Sequence, residues 1–216
     1  DFSSLTAENH PRIFLNNADF ESLKKKNVPG SVVNRLHEIL IAVADAAVTS
    51  GKTFRYKLDQ SGKRILPISR NALKEISACA YAYRMTGETR YLERAEYNLN
   101  TVCAFKDWNP SHFLDVGEMA MGVAIGYDWL YNELSEETKE KARIALGRYA
   151  FDQTRVTRYC RFYKAGNNWN QVCNGGLVAA SLVTYEHNPE IAEKLILDAV
   201  ETNVEPVELM YGQDGN

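Results

Sequence analysis

Two kinds of predicted helix alternate along the last two-thirds of this 216-residue chain, and the alternation restricts its fold more than any other feature. Three segments, residues 73–85, 116–131 and 169–185, are apolar on nearly every side and must be covered by other elements. The segments that follow them carry charge on one face and are predicted to face solvent; they are residues 88–105, 135–150 and 189–204. The pattern predicts an all-α fold of antiparallel helical hairpins in an inner and an outer layer, as in an incomplete (α/α) toroid.

The first third of the chain is predicted to contain an extended arm, two helices and a small β-hairpin. Residues 10–15 include a proline and lack helical periodicity, so they form the arm. Asn16 or Asn17 caps a short helix that ends at Lys26, and apolar spacing predicts an amphipathic helix over residues 31–51. Alternating residues on either side of a glycine-containing turn predict a β-hairpin inserted near residues 53–66.

The length of the chain is sufficient for one well-buried domain, residues 1–216. About seven longer helices make three or four hairpins, which are too few to close a ring. Residues 209–216 consist of turn-forming residues without a capping element. No repeat of about 34 residues is present, which argues against a TPR-like solenoid. We therefore expect residues 1–216 to be the amino-terminal portion of a larger toroid.

Charge and hydropathy exclude some classes of function. The net charge of −3 at pH 7 argues against a nucleic-acid partner, since general nucleic-acid binders are usually basic. A local basic stripe is still able to bind an acidic ligand. The chain has no run of eighteen apolar residues, so no membrane span is predicted. Its first four residues do not form a secretory signal, which fits a cytoplasmic protein or a secreted one whose signal has been removed.

Cysteine spacing does not predict a metal site. The four cysteines, Cys79, Cys103, Cys160 and Cys173, form no CxxC pair and no zinc-ligand spacing with a histidine. Cys79 and Cys173 lie on helices that are predicted to be buried, where a free thiol acts as a small apolar side chain. Free thiols are therefore favoured over a disulfide, and no cofactor is predicted.

An asparagine-rich stretch opens the last apolar helix. Asn167, Asn168 and Trp169 stand at its start, and Asn170 and Asn174 are one helical turn apart. At the mouth of an inner helix, such amides and the free N–H groups of the first turn form an anion site that suits a carboxylate. The structural alternative is helix capping with a packed tryptophan, but a cap needs fewer asparagines.

A basic stripe precedes this stretch. Arg155, Arg158, Arg161 and Lys164 recur every three residues and are interleaved with aromatic residues that include Tyr163. Guanidinium groups bind carboxylate or sulfate through two hydrogen bonds, and aromatic rings pack on sugar faces. The alternative is a solvated basic face that pairs with acidic helices.

A third group of polar residues leads into the helix over residues 116–131. His112 is a candidate general base or a group that neutralises an acid, and Asp115 with Glu118 is a candidate acid pair. The alternative for the two carboxylates is structural, with Asp115 as an N-cap and Glu118 completing a capping box. The chain contains no Ser-His-Asp arrangement, P-loop or dinucleotide fingerprint.

Four stretches, in the same order, resemble the amino-terminal domain of the heparinase II/III-like polysaccharide lyases. They are residues 10–15 (HPRIFL), 108–120 (WNPSHFLDVGEMA), 126–131 (GYDWLY) and 167–176 (NNWNQVCNGG), which together extend over nearly the whole chain. The resemblance implies an incomplete (α/α) toroid followed by an antiparallel β-sandwich beyond Asn216. It also implies an acidic polysaccharide substrate, such as heparan sulfate or alginate, and a periplasmic or secreted protein.

The resemblance further implies cleavage by β-elimination. The carboxylate of a uronic acid is neutralised, a Tyr or His removes the C5 proton, and a Tyr protonates the departing O4. Asn168 matches the neutralising position, with Asn167 as its substitute, and Trp169 stands where relatives often have histidine. The substrate-binding candidates are Trp169, Asn170, Asn174, His112, Glu118, Arg70, Arg161, Tyr163 and Tyr211. The catalytic tyrosine is expected beyond Asn216, so we expect residues 1–216 alone to bind weakly and catalyse little.

Two other functions are compatible with the residues. A toroid glycoside hydrolase would use Asp115 with Glu118 or Asp128 as its acid pair, and it would leave no double bond in its product. A non-catalytic glycan-binding helical domain would bind the same ligands without turnover. The sequence does not distinguish endo from exo cleavage, and it does not indicate an oligomeric state.

Overall fold

The computed structural model describes residue 2 and residues 4–211, and this part of the chain is helical with no β-strand. Its α-helices, in chain order, are α1 (Asn17–Lys26), α2 (Val32–Ser50), α3 (Leu66–Thr86), α4 (Thr89–Cys103), α5 (Phe113–Trp129), α6 (Glu136–Ala145), α7 (Asn168–Val183) and α8 (Pro189–Met210). Short 3-10 or π-helical turns lie between several of them. The predicted all-α class is confirmed. No helix in the described part combines the length and the hydropathy that a membrane crossing needs.

Local sequence signals account for the helix ends. The side chain of Asn16 accepts a hydrogen bond from the backbone N–H of Asp19, whose carboxylate accepts one in return, so the two form a capping box at α1. Ser31 and Ser135 cap α2 and α6 in the same manner, with one side-chain hydrogen bond each. Gly87 ends α3 at a φ of 75°, a left-handed conformation that side chains disfavour.

Helices α3, α5 and α7 form a row in which neighbours run parallel. The start of α3 contacts the start of α5, since the N–H of Ile65 donates to Asp115 over 2.7 Å, and further along Leu73 packs against Gly122. Gly117 near the start of α5 likewise packs against Gly176 of α7. Helix α5 is therefore the middle member of the row, with α3 on one flank and α7 on the other.

The remaining long helices return along the outside of this row. Arg94 and Asn98 of α4 reach back to Glu75 of α3, and Thr202 of α8 reaches back to Asn174 of α7. Fifteen of the 17 residues of α5 are buried, compared with four of the ten residues of α6. For α5 and α6 the alternation in the sequence therefore corresponds to a covered and a solvated helix, whereas α3 and α4 do not differ in this way, with nine of 21 and seven of 15 residues buried.

The predicted β-hairpin near residues 53–66 is wrong. Residues 51–65 form a loop without a strand, closed by a hydrogen bond of 2.7 Å from the N–H of Asp59 to the carbonyl of Arg64, and α3 already begins at Leu66. The hydroxyl of Tyr56 donates to Asp107 over 2.9 Å, and its ring packs edge-on against Phe105. The alternating residues thus dock the loop onto the segment after α4 instead of pairing two strands.

The amino-terminal arm is fastened at the opposite end of α5. His10 contacts Asp128 over 2.5 Å, and the backbone N–H groups of Arg12 and Ile13 each donate to the same carboxylate over 2.9 Å. Glu186 lies against His10 and accepts a hydrogen bond from Arg12. Two of the four stretches that carry the family resemblance, residues 10–15 and 126–131, therefore form one contact network.

The state of the cysteines and the end of α8 were also predicted from the sequence. All four cysteines are free thiols, as predicted, and Cys79, Cys103 and Cys173 are buried. Helix α8 continues to Met210, so the turn predicted from residue 209 does not begin there. The rest of the predicted turn, residues 212–216, lies outside the described residues.

Candidate functional site

The starts of α3, α5 and α7 lie at one end of the molecule because the three helices run parallel. Each start presents backbone N–H groups that lack a partner within the helix, and these favour a negatively charged ligand. His112 directly precedes α5, and Asn168 and Trp169 open α7. The other two stretches of the resemblance, residues 108–120 and 167–176, therefore meet at this end.

A buried hydrogen-bond network holds His112. Its Nδ1 lies 2.7 Å from Oδ1 of Asp115. The other carboxylate oxygen, Oδ2, accepts hydrogen bonds from the backbone N–H of Ile65 over 2.7 Å and from Nδ2 of Asn109 over 2.6 Å. Asn109 adopts a φ of 56°, a left-handed conformation that asparagine tolerates better than most residues. Because α5 begins at Phe113, Asp115 lies within its first turn, and the alternative that made Asp115 an N-cap is wrong.

The second ring nitrogen of His112 is enclosed by the fold, so a substrate would reach it only after the side chains that cover it move. The carboxylate of Asp115 favours a proton on Nδ1, which leaves a lone pair on Nε2. Nε2 is buried and has no hydrogen-bond partner within the part of the chain that the structure describes. The ring of Trp169 meets the imidazole edge-on, with centroids 4.8 Å apart. This arrangement suits a general base whose orientation is set by its neighbours.

A cavity of about 630 Å³ opens beside His112. The loop before α3 contributes Lys63 and Arg64 to its wall, and the segment after α4 contributes Lys106. Two tyrosines, Tyr56 and Tyr159, line it as well, together with one carboxylate, that of Asp107. Cationic and aromatic side chains beside an unpaired imidazole nitrogen suit an anionic sugar.

Glu118 and Arg70 form a second polar contact at this end of the row. Nε of Arg70 lies 3.0 Å from each carboxylate oxygen of Glu118. Burial raises the pKa of Glu118 above its ordinary value, although the Arg70 guanidinium opposes the change. Arg70 is exposed and Glu118 is mostly covered, so the pair places a positive charge at the surface one helical turn beyond Asp115.

The asparagine-rich stretch divides into two groups with different environments. Asn167 caps α7 by accepting a hydrogen bond of 3.0 Å from the N–H of Trp169, and both Asn167 and Asn168 are exposed. Asn170 is completely buried, and its amide donates to the carbonyls of Phe162, Tyr163 and Thr202.

The buried group continues one turn further along α7. Asn174 donates to Oδ1 of Asn170 over 3.0 Å and to the hydroxyl of Thr202 over 3.2 Å. Asn170 therefore has all its polar atoms engaged within the fold. Binding of substrate by Asn170 would require these hydrogen bonds to break.

Of the candidate residues, only His112 lies in the wall of the His112 cavity. Arg161 is exposed on the 3-10 helix over Thr157–Lys164. Tyr163 lines a different cavity, together with Thr202 and Glu205, and burial raises the pKa of its hydroxyl. Tyr211 follows α8 and is half exposed. The structure brings His112, Trp169 and the start of α7 together, but it does not add these three residues to that group.

The sequence analysis missed Asn109, Lys63, Arg64 and Lys106. A signal was present for two of them, because residues 52–64 carry five Lys or Arg and one Asp in a chain that is acidic as a whole. Asn109 gave no such signal, since its role depends on a left-handed backbone and on a contact with Asp115. In residue 2 and residues 4–211, no three His, Cys, Asp or Glu side chains are grouped in a way that would hold a metal ion.

Comparison with known proteins adds no name to this site. Neither the family models nor the curated proteins contain a match to the chain. The assignment of a function therefore depends on the geometry around His112.

Proposed function

We propose that the protein is a polysaccharide lyase that cleaves a uronic-acid-containing polymer by β-elimination. The observation that carries the proposal is the imidazole of His112, held through Nδ1 by Asp115 and unpaired at Nε2 beside a cationic cavity. A base in such a place suits removal of a weakly acidic proton next to a carboxylate. The cations around it suit a substrate that is itself anionic.

The proposed reaction assigns a role to each group at the site. Asn168, exposed at the positive end of α7, binds the uronate carboxylate and makes the C5 proton more acidic. Nε2 of His112 takes this proton. The electrons of the C5–H bond form a C4–C5 double bond as the bond from C4 to O4 breaks, and O4 takes up a proton from solvent. Asp115 positions the imidazole and stabilises its protonated form.

The carboxylates argue against the alternative glycoside hydrolase. Asp115 and Asp128 are both fully buried and hydrogen-bonded. They stand thirteen residues apart on α5, which corresponds to about 20 Å along the helix axis, whereas paired glycosidase carboxylates lie within about 10 Å. Asp115 has both oxygens engaged, so it is also unsuited to be an acid or base together with Glu118.

Product analysis of the full-length protein tests the proposal. The protein is incubated with a polyuronate in ¹⁸O-labelled water while ultraviolet absorbance is followed. Elimination predicts absorbance from the C4–C5 double bond and no solvent oxygen in the new reducing end. Reducing ends that carry ¹⁸O without absorbance would identify a hydrolase. Binding without any new end would identify a non-catalytic glycan-binding domain.

We also propose that α3, α5 and α7 are an arc of an incomplete (α/α) toroid. The parallel inner row and the returning outer helices support this arrangement. A groove of about 490 Å³ on α7 offers small residues, Gly175 and Ala179, to a neighbouring element, much as Gly117 receives Gly176. An experimental structure of the full-length protein with a further inner helix in this groove is expected. A groove that stays open to solvent in that structure would contradict the proposal.

A further inference from the structure

Two basic segments of the chain lead into the helices on either side of His112. We call residues 52–64 the first basic segment and residues 155–164 the second basic segment. The first segment directly precedes α3 and the second precedes α7. Because α5 lies between α3 and α7, His112 at its start lies between the two segments. The cavity beside His112 is lined by Lys63 and Arg64 from the first and by Tyr159 from the second.

The charge of these segments differs from that of the whole chain. Together they hold nine of the 25 Lys and Arg residues but one of the 28 Asp and Glu residues. All nine cations are exposed. Within the described residues, only Arg155 has a carboxylate within 4.0 Å, at 3.8 Å from Asp152. Most cations elsewhere on the helices form ion pairs, among them Arg84, Arg90, Arg94, Lys139, Lys141, Arg143 and Lys194.

Two aromatic rings of the cavity pack against cations. Nζ of Lys106 lies 4.7 Å from the centroid of the Tyr56 ring, and the Arg158 guanidinium lies 4.9 Å from that of Tyr159. Each ring therefore has a face covered by a cation. These contacts hold the two cations at the cavity, where they suit the anionic substituents of a substrate.

We propose that a polyanionic sugar chain lies across His112, with one arm on the first basic segment and the other on the second. This inference rests on the proposed function, and it adds that the substrate carries anionic groups on both sides of the cleaved bond. The anionic groups are carboxylates or sulfates, which share the same guanidinium and ammonium chemistry. Cleavage then takes place inside a polymer and not at its end.

Binding measurements with paired variants of the full-length protein test the inference. The variants are K63A/R64A in the first segment and R158A/R161A in the second, with K25A/K26A on α1 as a control for loss of two exposed cations. The probes are oligogalacturonates of graded length, which carry carboxylates, and sulfated glycosaminoglycan oligosaccharides of the same lengths. A single-stranded oligonucleotide of equal charge is a further probe. Affinity is measured at several salt concentrations.

Each segment variant is expected to lower the affinity for long oligosaccharides about tenfold and to reduce the salt dependence, because fewer counterions are released. The control is expected to bind as the unmodified protein does. Affinity is expected to rise with length until both segments are spanned, and the better of the two sugar probes identifies the anionic group. Loss of affinity in one segment variant alone, affinity independent of length, or equally tight binding of the oligonucleotide would overturn the inference.

Cleavage provides a second and separate readout. With a long polymer, viscosity is expected to fall before many reducing ends appear, since internal bonds break first. Release of only the smallest products would contradict a substrate that extends over both segments. Absence of cleavage together with the expected binding would contradict the proposed lyase activity, and it would leave the two-segment binding mode supported.

Discussion

Nδ1 of His112 and Oδ1 of Asp115 are 2.7 Å apart, and this contact fixes the imidazole at the start of α5. Through its other oxygen Asp115 also accepts from Ile65 and Asn109, so one buried carboxylate fixes the imidazole, the start of α3 and the loop before α5. The geometry of the proposed base therefore depends on the same carboxylate that holds the inner row together at this end.

Replacement of this carboxylate is expected to destabilise the protein. The carboxylate of Asp115 accepts hydrogen bonds at both oxygens, whereas the amide of D115N has a single acceptor oxygen. At least one buried donor would therefore lose its acceptor. The expected loss is about 3 kcal/mol in the free energy of unfolding, measured by urea denaturation. The exposed Asp152 provides the control, because D152N is expected to change stability by less than about 0.5 kcal/mol. Equal stability of the two variants would contradict the described network.

Two adjacent glycines of α7 provide a matched test of the inner row. A Cβ at Gly176 would lie 2.1 Å from the carbonyl oxygen of Gly117, so G176A must push α5 and α7 apart. A Cβ at Gly175 would meet only the end of the Met121 side chain at 3.7 Å. We expect G176A to lose about 3 kcal/mol of stability, and G175A to be neutral or to gain up to about 1 kcal/mol from helix propensity. Similar urea midpoints for the two variants would contradict the packing of α5 on α7.

Glu186 is expected to make stability depend on acid pH. Burial alone would raise its pKa, but hydrogen bonds from His10 and Arg12 outweigh burial and lower the pKa to about 2, from an ordinary value of 4.5. A lowered pKa in the folded state means that the carboxylate stabilises the fold fully above the unfolded value. This stabilisation is lost as the pH falls from about 4.5 to about 2.

The variant E186Q lacks this titration. The full shift corresponds to roughly 3 kcal/mol, and solvent screening at this partly exposed group reduces the expected loss at pH 7 to about 1–2 kcal/mol. Unfolding of both proteins is measured between pH 7 and pH 2. The difference in stability is expected to shrink as the pH falls, and a constant difference would contradict the assigned role of Glu186.

Asn170 is expected to affect the stability of the protein, and Asn168 is expected to affect its turnover. Asn170 donates to three carbonyl groups inside the protein, so N170A is expected to cost about 2–3 kcal/mol of stability. Asn168 is exposed, and N168A is expected to change stability by less than about 0.5 kcal/mol while it lowers turnover by the full-length protein. Urea unfolding and ultraviolet assays are compared for both variants. Unchanged turnover in N168A would remove Asn168 from the proposed mechanism.

The burial of α5 was predictable because burial leaves a direct mark on composition. A helix enclosed on all sides, such as α5, is apolar around its whole circumference, and its solvated neighbours are not. The predicted β-hairpin failed for a related reason. Alternating residues report that one face of a segment is covered, but they do not say whether a second strand or a helix end covers it. In residues 51–65 the covered side chains rest on Phe105 and Asp107.

The contacts of the candidate residues were only partly predictable. Helical spacing showed that Asn170 and Asn174 share a face, yet it could not show that α8 lies against that face. The spacing of Asp115 and Glu118 suggested a capping box, whereas Asp115 accepts a hydrogen bond from Ile65, fifty residues earlier. Contacts between residues so distant in sequence follow from the packing of the parallel row, which no local pattern encodes.

The most direct test of the proposed base is turnover by H112N in the full-length protein. The Asn amide retains a donor near the position of Nδ1 for Asp115, while the nitrogen that would accept the C5 proton is removed. The free energy of unfolding of H112N is expected to lie within about 1 kcal/mol of that of the unmodified protein. The rate at which unsaturated product forms from a polyuronate is expected to fall by about 10²–10⁴-fold. Formation of unsaturated product at the unmodified rate by a folded H112N protein would contradict the proposed mechanism.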